Sequence, residues 1–185
     1  YSETLVEVAR ASGVESLGCE GDHVSWNLHQ RISSLGVQIV PTSGLVEAVR
    51  MVKDPTEIAF ITQACNITER ALTTTLNAIH VGISERELAR IFSSAVMDYG
   101  ADSLAFEPIV AIGENSAIPH HRASDRCLAE GDVVLFDVGA AVAGYCADLS
   151  RTVVLGAAPE RLVEIHEVVA RAQTVAKAGV RAGVA

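Results

Sequence analysis

Apolar residues recur along this chain with two periods, and glycine or proline marks most of the breaks between them. Thr4 to Ser12 has helical apolar spacing and stops at Gly13. Val14 to Gly18 reads as a short strand, and Asp22 to Ser34 as a second helix ended by Gly36. Val37 to Val40 is a strand candidate ended by Pro41, and Ser43 to Val52 is a short helix. This alternation predicts a small α/β unit of about 50 residues, too small to stand comfortably alone.

The next stretch has stronger start signals. In Asp54-Pro55-Thr56-Glu57, aspartate can cap, proline suits the first helical position and glutamate can complete a capping box. Ile58, Ile61, Ala64, Cys65, Thr68, Ala71, Leu72, Leu76 and Ile79 then form one apolar stripe, which predicts a helix ending near His80 with Gly82 just beyond. Ser84-Glu85-Arg86-Glu87 is a second capping box, opening a helix that runs to about Tyr99 and stops at Gly100. Phe106 to Ile112 reads as a strand, and residues 113–130 as a loop. Val133 to Ala140 and Tyr145 to Leu155 read as the two arms of a β-hairpin, and Pro159 to Ala178 as a third long helix closed by Gly179. Helices covering one face of an antiparallel sheet give an α+β arrangement.

The hairpin carries the chemistry. Its first arm is apolar apart from Asp137, and its second carries Asp148. A turn at Val142-Ala143 sets the two aspartates directly opposite, whereas a turn at Ala143-Gly144 makes them diagonal neighbours. Any even-length loop leaves both on one face of the sheet. Directly opposed like charges are destabilising at a Cβ separation of about 4.5–5.5 Å. Something cationic should therefore sit between them, or one should be protonated, and a divalent metal is the simplest such cation. Pro119-His120-His121-Arg122 lies in the preceding loop, where an imidazole can be aimed at a metal-bound substrate.

Composition narrows the partners. The 185 residues are 49% apolar, only 4% are aromatic and the net charge is -9, from 14 basic and 23 acidic residues. The core must be built from Val, Leu, Ile and Ala. The charge argues against nucleic acid or an anionic membrane as partner. No apolar run is long enough for a membrane span. No export signal opens the chain, although it starts at Tyr1 rather than Met, which leaves room for an upstream segment. Cys19, Cys65, Cys127 and Cys146 fit no zinc spacing, and they read as reduced, mostly buried thiols of a cytoplasmic protein. Cys146 falls on the Asp148 side of its strand, where a packing role is expected.

His120, Asp137 and Asp148, spaced 17 and 11 apart within Pro-His, Asp-Val-Gly-Ala and Gly-Tyr-Cys-Ala-Asp-Leu-Ser-Arg-Thr, resemble the proline-specific pita-bread metallopeptidases. These are aminopeptidase P and the Xaa-Pro dipeptidases, with methionine aminopeptidase as a more distant relative. Residues 50–58, Arg-Met-Val-Lys-Asp-Pro-Thr-Glu-Ile, resemble the junction entering their catalytic domain, and residues 106–120 the strand and loop leading to their first active-site histidine. The resemblance implies that residues 1–52 are the end of an N-terminal creatinase-like domain, and that residues 53–185 are the first half of a pita-bread domain. It further implies two divalent ions, manganese first, with cobalt or zinc as alternatives. Asp137 would bind one ion, Asp148 would bridge both, and His120 would contact the substrate, an Xaa-Pro dipeptide or a longer peptide. Homo-oligomers are common in the group.

The three further ligands of such a site, a His and two Glu, belong to the second half of that domain and have no match here. His166 sits in a helical stretch and does not fit the missing His motif. The chain thus reads as a fragment, expected to bind metal weakly and to have little or no peptidase activity alone. Two other readings compete: a creatinase-like amidinohydrolase, which works without metal, and a non-catalytic binding module. Both usually lack the two carboxylates retained here.

Overall fold

The computed structural model describes residues 2–184, in two compact units that divide after Asp54. The first unit contains α1 (Ser2–Ala11), β1 (Ser16–Glu20), α2 (Trp26–Ser34), β2 (Gln38–Thr42) and α3 (Leu45–Met51). β1 and β2 run parallel, and Val6, Ile32 and Val37 form the buried core. Every element here is shifted by a few residues from the sequence reading, β1 from Val14–Gly18 to Ser16–Glu20 for instance, and two of the shifts have a clear cause. α2 starts at Trp26, because residues 21–24 turn back on the Glu20 carbonyl and Ser25 Oγ then accepts the Leu28 N–H at 3.3 Å. β2 continues through Pro41, which pairs with Cys19 at the edge of a two-stranded sheet, where a missing N–H costs little.

The second unit opens with α4 (Pro55–Asn77) and α5 (Glu85–Asp98), followed by β3 (Ser103–Leu104), β4 (Ile109–Ile112), β5 (Val133–Val138), β6 (Ala140–Val142), β7 (Tyr145–Cys146), β8 (Leu149–Val154) and α6 (Glu160–Gly179). The strands form two antiparallel sheets, ordered β3-β6-β7 and β4-β5-β8. α4 and α5 pack on each other, α5 against β4 and α4 against β6 and β7. This is the expected α+β layering. The Ser84 capping box forms as read: Ser84 Oγ accepts the Glu87 N–H at 3.2 Å, and Glu87 Oε2 accepts the Ser84 N–H at 3.0 Å.

The core unites Ile67, Ala71 and Leu72 of α4, Leu88, Phe92 and Val96 of α5, and Val134, Phe136 and Val138 of β5. The stripe on α4 is rotated from the predicted one. Ile67 and Thr75 are buried, whereas Ile58 is 53% exposed and Cys65 faces solvent. Cys127 and Cys146 are exposed too and Cys19 is half-buried, so the cysteines are not the buried thiols expected. Cys65 and Cys146 stand where α4 and β7 turn away from the core, and Cys127 lies in the loop before β5. α6 departs from the expectation of a helix covering the sheet: among the described residues it buries none of its side chains, and Leu162, Ile165 and Val169 line an open groove with Thr152 and Val154. His166 lies on that groove. Among the described residues no helix is long and apolar enough to cross a membrane.

Two buried polar contacts anchor the parts that matter for the site. Thr68, fully buried on α4, donates to the Ala64 carbonyl at 2.8 Å and accepts the Ala140 N–H at 3.0 Å, tying the hairpin to the helix. Glu85, the first residue of α5, is also fully buried, and it accepts hydrogen bonds from Ile112, Asn115, His121 and Ser124. Burial alone would raise its pKa. The bonds from Ser124, His121, Asn115 and Ile112 outweigh burial and lower it to about 2.

Thr68→Val keeps the shape but orphans the Ala140 N–H, and it should cost about 1–3 kcal/mol, read by urea denaturation. Glu85 binds fewer protons folded than unfolded. Its stabilisation is therefore complete above the unfolded value near 4.5 and is lost as pH falls towards about 2. Thermal melts across that range should show the wild-type advantage over Glu85→Gln shrinking to nothing at the acid end.

Candidate active site

The hairpin reverses over two residues, Ala143 and Gly144, whose φ values of 50° and 82° are those of a type I′ turn. Asp102 Oδ2 pins it by accepting the Ala143 N–H at 2.6 Å. Val142 then pairs with Tyr145, Val138 with Leu149 and Asp137 with Ser150. Of the two registers open from sequence, this is the one that makes Asp137 and Asp148 diagonal neighbours on one face. Phe136 and Val138 point the other way, into the core, so Asp137 is only half-buried and shares its face with Leu135 and Ile109. Its Oδ1 accepts from Ser150 Oγ at 3.2 Å.

The ladder is interrupted between the Val138–Leu149 and Ala140–Ala147 levels, where Gly139 stands across from Asp148. A Cβ on Gly139 would collide with the Ala147 carbonyl oxygen, so only glycine lets the strands close at this level. Asp148 is exposed at its tip. Even so, burial, the Asp137 charge and a hydrogen bond between the two carboxyls push it above its usual range. Two converging carboxylates, one resisting its own ionisation, are a donor set that a divalent cation fits.

Asp137 and Asp148 form one wall of a cavity of about 430 Å³, which His120 and His121 also line. Phe106 and Ile109 add apolar wall, and Glu107 and Arg122 stand at the rim as an exposed ion pair at 3.7 Å. The three residues singled out from sequence thus meet at one place. His120 projects from a backbone with φ of 54°, uncommon outside glycine. His121 is committed elsewhere, its Nε2 2.8 Å from Glu85 Oε2. Among the described residues, no set of three His, Cys, Asp or Glu donor atoms within 4.8 Å of one another includes either aspartate; the one such set is Glu20, His23 and Glu47 in the first unit.

Sequence reasoning missed Gly139 and Glu85. The Asp-Val-Gly-Ala segment already carried the glycine. Glu85 was hidden inside a capping box that its neighbour Glu87 completes, while its own partners lie 27 to 39 residues away.

Comparison with known proteins agrees with this geometry. Residues 59–185 match metallopeptidase family M24, and residues 1–52 match the creatinase/prolidase N-terminal domain. An uncharacterised peptidase of Bacillus subtilis is 33% identical over 98% of this chain and 52% of its own length. The Xaa-Pro dipeptidase of Pyrococcus horikoshii is 32% identical over 93% and 49%. Among solved structures, the Xaa-Pro dipeptidase from Bacillus anthracis superposes with a TM-score of 0.94 at 33% identity, covering 99% of this chain and 52% of that one. The X-Pro aminopeptidase from Thermotoga maritima superposes at 0.87 and 36%, covering 94% and 50%. The chain spans about half the length of the relatives it matches. A pita-bread hairpin with its paired aspartates, a histidine loop beside it and a family match across nearly all of the second unit lead to one assignment: the chain belongs to metallopeptidase family M24.

Proposed function

We propose that the protein containing this chain hydrolyses the Xaa-Pro bond of dipeptides or short peptides with the help of two divalent ions, manganese first. The observation that carries this reading is the pairing of Asp137 with Asp148 on the wall of a cavity that His120 also lines. Asp137 would hold one ion, and Asp148 would bridge both. When bound, such ions lower the pKa of a water and polarise the scissile carbonyl. Oxygen donors suit manganese without excluding cobalt or zinc.

The side chains of this chain supply the rest. His120 reaches the substrate and steadies the oxyanion as the carbonyl carbon becomes tetrahedral. Phe106 and Ile109 offer apolar surface to the prolyl ring, which brings no N–H needing a partner. The free thiols suit a reducing, cytoplasmic setting. Assembly into homo-oligomers belongs to the same proposal.

With two carboxylates and, among the described residues, no third His, Cys, Asp or Glu donor grouped with them within 4.8 Å, the 185-residue chain alone should bind metal weakly and turn over little or no substrate. Calorimetric titration with manganese chloride should show weak binding that Asp148→Ala reduces by about tenfold or more, since loss of even an outer partner of a ligand has that scale. Equal binding by the two proteins would favour the non-catalytic alternative. Incubation with Xaa-Pro dipeptides and manganese should release almost no proline; robust release would overturn the inactivity of the isolated chain.

A further inference from the structure

The loop between β4 and β5 brings His120 and His121 to the cavity, yet it has little core of its own. Pro119 and His120 are exposed, and the segment is irregular apart from a 3-10 turn at Gly113–Ala117. One carboxylate, buried beneath it, holds it in place. Glu85 Oε1 accepts the Ile112 N–H at 2.7 Å and Asn115 Nδ2 at 2.9 Å. Glu85 Oε2 accepts the Ser124 N–H at 2.8 Å, Ser124 Oγ at 2.6 Å and His121 Nε2 at 2.8 Å. These five donors come from both ends of the loop and from the residue that follows His120.

We propose that Glu85 is a positioning residue for the site: by gathering these five donors, it sets where His120 and His121 stand beside Asp137 and Asp148. In calling the cavity a peptide-hydrolysing site, this rests on the function proposed above.

Three features support the assignment. First, a carboxylate has about four lone-pair sites, so this one is saturated, with no capacity left for a ligand of its own. Its role is internal. Second, His120 adopts a left-handed backbone, which is strained for a non-glycine residue and persists only where the surroundings over-determine it. The ties at Asn115 before it and His121 after it supply that constraint. Third, the His121 bond fixes a proton on Nε2, because the ionised carboxylate has none to give. The imidazole is thereby oriented by its partner, as a base is by the third member of a catalytic triad.

The far end of the loop has independent backbone support. The Arg86 N–H donates to the Ser124 carbonyl at 3.1 Å, the Glu85 N–H to the Arg126 carbonyl at 3.1 Å and the Leu128 N–H to the Ile83 carbonyl at 2.9 Å. Loss of the Glu85 charge should therefore free residues 113–123 and leave α5 and the sheet in place.

The test uses the metal-free 185-residue chain as wild type, Glu85→Gln and Ser124→Ala, with amide hydrogen exchange read along the backbone. Exchange over residues 113–123 should quicken relative to the β4 and β5 amides by about tenfold or more in Glu85→Gln, the scale of one lost charge-assisted hydrogen bond, and by less in Ser124→Ala. Should Glu85→Gln fail to fold, Ser124→Ala decides the matter. A loop whose exchange keeps its wild-type ratio to the strands in a folded variant overturns the proposal. A second readout is the broadening of the His120 ring resonances by manganese. It should weaken in the variants, because the ring no longer keeps one distance from the aspartates. Absence of broadening in the wild type itself would count against the metal reading and leave the exchange result to stand on its own.

Discussion

Asp137 and Asp148 can share one side of the sheet only because the chain reverses between them over an even number of residues. A loop of odd length would turn one of them inward beside Phe136 and Val138, where a lone charge has no compensation. The Ala143–Gly144 turn settles the matter with two left-handed residues and the Asp102 bond that pins them. Everything else at the site inherits this register. It decides which carboxylates meet, which face they occupy and how near the histidine loop must come.

The two halves of the site are held by different physics. The carboxylates ride on strands clamped by apolar burial and by the Thr68 bond to Ala140. Tyr145 adds a side-chain hydrogen bond to Glu57 at 2.7 Å and stacks on Phe60. The histidines ride on an irregular loop with no such backing, and its order comes from polar contacts converging on one buried charge. A rigid wall thus faces a tethered one, which suits a site that must keep its acceptors fixed while admitting a substrate.

Most of this architecture was legible in the residues, for definite reasons. Helix ends were readable where a local rule applied: Ser84 with Glu87, Pro55 at a first helical position, Gly100 past a last turn. The aspartate pair was readable because strand parity needs no knowledge of the rest of the fold. Facing was harder. The burial of Ile67 in place of Ile58, and the exposure of Cys65 and Cys146, depend on where the sheet sits against α4, which no periodicity within the helix encodes. The start of α2 shifted because Glu20 captures a turn ahead of it. Glu85 was unreadable for the same kind of reason, since every partner of its side chain is remote in sequence. α6 was readable as a helix from its length and its closing Gly179, yet among the described residues it buries none of its side chains.

Gly139 carries a consequence for any attempt to redesign this pocket. Because the strand opposite leaves no room for even a methyl group there, the separation of the two carboxylates behaves as a fixed gauge that mutation of the intervening residue cannot retune. Variation in ion preference or in substrate size has to come from the rest of the cavity lining, through Phe106, Ile109 and the histidine loop. The hairpin is left as the inherited constant around which such changes accumulate.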